Sequence, residues 1–154
     1  VTIYFFDSSA IVKRYLNETG TAWVTNIFDP TSGSEIYIAH ISGAEVVAAI
    51  ARRGLTGSIT ASKVTSAISQ FRREFISAFQ IVEITQNLIA RAMDIAEIHA
   101  LRGYDSVQLA SALEMLALRS ALGLSGLIFV SADSDLNAAA MAEGLNVDDP
   151  NAHP

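Results

Sequence analysis

Five short apolar runs, most of them followed by a stretch with helical spacing, constrain this chain more than any other feature. They are Ile3 to Phe6, Ile36 to Ala39, Ile81 to Ile84 and Leu127 to Val130, with a shorter one around Leu145 to Val147. Runs of this length, rich in β-branched and aromatic residues, suit strands covered on both faces. Between and after them, apolar spacing predicts helices over 10–16, 21–28, 44–53, 62–79, 88–100, 105–121 and 136–143. Alternating strands and helices predict an α/β domain with a mainly parallel sheet, whose functional sites form beyond the carboxyl ends of the strands. One domain over 1–148 is expected, followed by a polar tail over 149–154 that carries two prolines and should fray.

The 154 residues are 51% hydrophobic, enough for a single sizeable core. Cysteine is absent, which removes disulfides, thiolate metal sites and cysteine nucleophiles, and makes a reducing, cytoplasmic setting the expectation. No apolar stretch approaches the roughly 18 residues of a membrane span, and a signal peptide is not expected. The net charge of −6 opposes binding nucleic acid by bulk electrostatics. That objection weakens where acids are gathered in one pocket and neutralised by divalent cations.

The acids themselves have ordinary explanations. Asp7, in "IYFFDSSAIVKRY", and Asp133, in "IFVSADSDL", each stand between an apolar run and a helix and can serve as N-caps. Ser42-Gly43-Ala44-Glu45 matches a capping box, and Asp105 in "LRGYDSVQLASA" complements the dipole of an apolar helix. Capping alone does not predict that Asp7, Glu45 and Asp133 all fall at, or one turn beyond, the carboxyl ends of parallel strands. Gathered there, carboxylates raise one another's pKa unless a cation lies between them. Oxygen-only ligands favour a hard ion such as Mg²⁺ or Mn²⁺, which suits phosphoryl chemistry.

"FFDSSAIVKRYLNETG", "SGAEVVAAIAR", "RGYDSVQLASALEM" and "FVSADSDLNAAAMAEGLNVDDP" together resemble the PIN-domain ribonucleases, most closely the VapC-type toxins of toxin–antitoxin pairs. The resemblance spans nearly the whole chain. It implies an α/β/α sandwich with a sheet of about five strands and Mg²⁺- or Mn²⁺-dependent endonucleolytic hydrolysis of RNA. The family's four acids fall on Asp7, Glu45, Asp105 and Asp133, with its hydroxyl residue before the fourth acid on Ser131. Ser9 matches a hydroxyl position that helps order the metal shell, and Asp135 stands as a secondary ligand. Asp7, Asp105 and Asp133 are expected to hold one ion, with Glu45 assisting a second ion or orienting the attacking water. The resemblance also implies a cognate antitoxin protein and a toxin homodimer.

Lys13-Arg14, Arg52-Arg53 and Arg72-Arg73 are candidate phosphate contacts set against a reading as solvated helix surface. Arg14, whose helix starts at Asp7, and Arg102, just before Asp105, are singled out. A lone histidine ending a strand, His40, reads as structural. Rival readings fit less well: Ile11 breaks both the haloacid dehalogenase D-x-D-x-T pattern and the adhesion-site D-x-S-x-S pattern. A receiver module would want a late lysine, and the only lysines are Lys13 and Lys63. A PIN-like domain that binds RNA or a partner without cleavage is the alternative, opposed by the full acidic set.

Overall fold

A computed structural model describes residues 1–154. Its five strands, β1 (Ile3–Phe6), β2 (Glu35–Ala39), β3 (Gln80–Val82), β4 (Ile128–Val130) and β5 (Asn146–Asp148), form one sheet in the order β3-β2-β1-β4-β5. All four pairings are parallel, with Tyr4 in register with Ile36 on one side and Ile128 on the other. The helices are α1 (Ser8–Tyr15), α2 (Thr21–Ile27), α3 (Ser42–Leu55), α4 (Ala61–Ser77), α5 (Gln86–His99), α6 (Gly103–Ala121) and α7 (Ser134–Ala142). Short 3₁₀ turns occupy Pro30–Ser32 and Pro150–Ala152.

The central strand shows why the apolar runs are uninterrupted. Successive side chains of a strand point to opposite faces. Ile3 and Phe5 enter a core with Leu88, Leu109, Phe129 and Leu136, beneath α5, α6 and α7. Phe6 enters the other, with Ile11, Val46, Ile50 and Phe71 from α1, α3 and α4. Both faces are therefore covered, and the molecule is the expected three-layer α/β/α sandwich. No helix is long and apolar enough to cross a membrane.

The strand order places the point where the chain switches direction between β1 and β4. From β1 the chain works outward through β2 to β3, then returns to build β4 and β5 on the other side. At such a switch point, loops leaving adjacent strands diverge and open a crevice at the carboxyl edge. Asp7 follows β1 directly, and Ser131 follows β4.

Two expectations are corrected. The capping box does not form: Ser42 is the first helical residue of α3, and Ile41 before it makes no side-chain cap. A turn from His40 supplies the acceptors instead, with Gly43 N–H donating to His40 O at 3.2 Å and Glu45 N–H to Ile41 O at 3.2 Å. Ser42 and Glu45 are thus released to face α6. Nor does the tail fray, because it packs against the α1–α2 connection. Pro150 is buried, His153 stacks on Trp23 with centroids 4.2 Å apart, and Asn151 Oδ1 accepts from Lys13 Nζ at 2.9 Å.

Candidate active site

Asp7 continues β1 through its backbone, donating N–H to Val130 O at 3.0 Å, and caps α1 with its carboxylate. Oδ1 accepts from Ser9 Oγ at 2.7 Å and from Ala10 N–H at 3.2 Å. These bonds favour the ionised form, yet burial outweighs them and pushes the Asp7 carboxyl up to about 7, with nearby Asp105 adding to the rise. A carboxylate capped so well and still so basic is poised to accept a positive charge.

Ser9 joins the two strand ends across the switch point. Its Oγ accepts from Ala132 N–H at 2.9 Å and lies 3.4 Å from Ser131 Oγ, 122 residues away in sequence. Ser131, fully buried, accepts from Asp133 N–H at 3.1 Å, and its carbonyl is held by Asn137 Nδ2 at 2.8 Å. Asp133 then caps α7, with Oδ1 accepting from the N–H groups of Asp135 and Leu136, both at 3.0 Å. The caps expected at Asp7 and Asp133 are real, and they fix where each carboxylate stands.

Glu45 reaches the same edge from the first turn of α3 and Asp105 from the first turn of α6. Burial raises the Asp105 carboxyl; Asp133, Glu45 and Asp135 push it the same way, against Arg102. Asp7, Glu45, Asp105 and Asp133 line one cavity of about 500 Å³, with Arg52, Arg102 and Tyr104 also in its wall. An adjoining cavity of about 420 Å³ shares Arg102, Asp105 and Asp133 and adds Asp135 and His99. Asp105 and Asp133 thus stand where the two cavities meet, while Asp135 faces only the second.

One contributor escaped the sequence reading. Gln108, one turn after Asp105 and nearly inaccessible at 1% exposure, directs Nε2 to Glu45 Oε1 at 2.7 Å, Ser42 Oγ at 2.9 Å and Ser8 Oγ at 3.0 Å. The amide orients the Glu45 carboxylate and ties α1, α3 and α6 together beneath the acids. The only hint in the sequence is a polar residue on the inner face of an apolar helix.

Arg14 is a correction. Two turns from Asp7, it forms a two-pronged ion pair with Glu74 of α4, with both N–O distances 2.8 Å, and its guanidinium lies over the Phe28 ring at 4.6 Å. It lines neither acid-bearing cavity. Lys13 is buried and bound to Thr19 O at 2.8 Å, and Arg53 pairs with Glu18 at 3.1 Å. His40 pairs with Glu83 at 2.9 Å outside the cavity, in keeping with a structural role.

No three acidic or histidine side chains converge closely enough to enclose an ion. Glu45 is drawn to Gln108 and Asp133 to its cap, which holds like charges apart. The donor set nonetheless fits a hard divalent cation: it is all oxygen, and proximity and burial already raise Asp7 and Asp105.

Comparison with known proteins identifies the family and the fold. The PIN domain pattern matches residues 4–141. The chain is 32% identical over 145 residues to the ribonuclease VapC45 of Mycobacterium tuberculosis, covering 94% of each chain. In fold it is similar to FitAcB from Neisseria gonorrhoeae, with a TM-score of 0.63 at 17% identity over 97% of this chain and 98% of that one. It is similar also to a toxin–antitoxin complex from Klebsiella pneumoniae, with a TM-score of 0.61 at 17% identity over 96% and 97% of the two chains. With its acids at the switch point and a match that runs almost end to end, the chain belongs to the PIN domain family, among the VapC-type ribonucleases.

Proposed function

We infer that this protein is an endoribonuclease, the toxin of a toxin–antitoxin pair, which hydrolyses RNA phosphodiester bonds in the cytoplasm with Mg²⁺ or Mn²⁺. The observation that carries this reading is the single cavity lined by Asp7, Glu45, Asp105 and Asp133, in which burial and mutual repulsion raise Asp7 and Asp105. The ribonuclease name of its relative in Mycobacterium tuberculosis supports RNA as the substrate. The Klebsiella complex supports an antitoxin partner.

Asp7, Asp105 and Asp133 are the residues that would hold the ion, with Asp135 as a secondary contact. A bound divalent ion lowers the pKa of its water and neutralises charge on the phosphate oxygens. Glu45 is held through Oε1 by Gln108, so Oε2 is left without a protein partner and can take a proton from the attacking water. Ser9 and Ser131 fix Asp7 and Asp133 across the gap between β1 and β4. Arg102, close enough to lower the Asp105 carboxyl, offers a guanidinium to the substrate phosphate.

The test is cleavage of defined single-stranded RNAs by pure protein with Mg²⁺, Mn²⁺ or EDTA. Asp105→Asn is expected to reduce the rate by about 100-fold or more with an unchanged circular dichroism spectrum, the size of effect typical of removing one charge-stabilising group. Wild-type rates from Asp105→Asn, or full activity in EDTA, would overturn the assignment.

A further inference from the structure

The acid-bearing cavity also contains two side chains that the chemistry above does not use. Arg52, in the last turn of α3, is exposed and enters no ion pair, unlike its neighbour Arg53. The chain has ten Lys and Arg residues, and only Arg52 and Arg102 reach the walls of the two acid-bearing cavities. Tyr104, in the first turn of α6 between Arg102 and Asp105, is 65% exposed. Its ring stacks on no other aromatic, although most aromatic side chains of this chain pair with another. The small Ala48 and Ala49 of α3 lie in the same cavity and leave room for a planar group in a volume of about 500 Å³.

We propose that Tyr104 and Arg52 form the subsite for one nucleotide flanking the scissile phosphodiester of a single RNA strand, Tyr104 stacking on its base and Arg52 pairing with its phosphate. The inference rests on the ribonuclease reading and adds to it how the substrate is gripped. A nucleobase satisfies an exposed aromatic ring whatever its sequence, because every base has a π-face. A phosphate satisfies a cation that the rest of the protein leaves free. Arg102 belongs to both cavities, so the strand passes from the Arg52 side over Asp105 and Asp133 into the cavity walled by His99 and Asp135. Stacking on Tyr104 requires a base turned out of any helix, so the subsite selects unpaired RNA.

The experiment measures binding by fluorescence anisotropy in EDTA and single-turnover cleavage with Mn²⁺. The probes are a labelled single-stranded RNA and a series of the same RNA carrying one abasic ribonucleotide at successive positions beside the cut. Tyr104→Ala should weaken binding about 5- to 150-fold, the range for loss of one base–aromatic stack, while Tyr104→Phe and Tyr104→Trp bind as wild type. On the probe abasic at the contacted position, Tyr104→Ala and wild type should bind equally. Arg52→Ala should reduce the slope of log affinity against log salt by about 0.7, the release from one single-strand phosphate.

Undiminished binding by Tyr104→Ala, an equal loss on every abasic probe, or a changed oligomeric mass by light scattering would overturn the subsite while cleavage by the wild type still upheld the nuclease. Tyr104-dependent binding without cleavage would uphold the subsite and sink the nuclease. A wild type that neither binds nor cuts overturns both.

Discussion

At the scale of single residues, the burial of Asp7 works against stability once its carboxyl ionises. Its native pKa of about 7 lies above the ordinary carboxylate value of 3.8, so between these values the native state keeps a proton that the unfolded chain has released. Stability from this group is therefore full below about pH 4 and is lost as pH rises through 7, on the order of 4 kcal/mol by pH 8. Asp7→Asn keeps an acceptor for Ser9 and Ala10 without the charge. In EDTA at pH 8, urea denaturation should find the variant several kcal/mol more stable than wild type, with the gap closing near pH 4. Saturating Mn²⁺ at pH 8 should stabilise only the wild type. The acids were legible in the sequence because each follows a recognisable strand or opens a recognisable helix. Gln108 was not, because its partners Glu45 and Ser8 lie 63 and 100 residues away. Arg14 misled for the opposite reason: proximity to Asp7 along the chain becomes a separation of about 10 Å after two helical turns, on a face turned to Glu74.

At the scale of elements, strands buried on both faces announce themselves, and their bounds lie within a few residues of the apolar runs. Helix starts are harder to read, since they depend on where the preceding turn leaves its carbonyls. The His40 turn supplied what the expected Ser42–Glu45 box would have supplied, so a good local motif yielded to Gln108 from another layer. The junction of α1, α2 and the tail gives a sharper test. Gly20 caps α2 at φ +88°, and a Cβ there would stand 2.3 Å from Pro150 O. Gly20→Ala should cost about 2 kcal/mol or more in thermal or urea unfolding, from left-handed strain plus this clash. Limited proteolysis should then remove the residues after Asp148, which wild type protects by stacking His153 on Trp23.

For the whole molecule, the net charge of −6 argued against nucleic acid, and the fold answers by location. Lys13, Arg14 and Arg53 are spent on Glu18, Glu74 or the tail, and of the ten basic side chains only Arg52 and Arg102 stand at the acid-bearing cavities. RNA affinity should therefore depend only weakly on salt, with a log–log slope near −1.4 between 50 and 200 mM, as expected for about two single-strand phosphates. Titration by anisotropy would measure it, and a slope steeper than about −4 would require a basic track elsewhere. Alternation of strands and helices was readable along the sequence, but strand order was not, because nothing local says that β4 returns to lie beside β1. That order has a consequence during synthesis. The first strand made is the middle of the sheet, and the hydroxyl contact that closes its carboxyl end comes from a residue 122 positions later. A ribosome adds about 5–20 residues per second, so Asp7 waits some seconds for Ser131 and Asp133 to emerge. On the site proposed above, the unfinished chain has no complete set of acids, so cleavage of the message being read waits until nearly all of it has been translated.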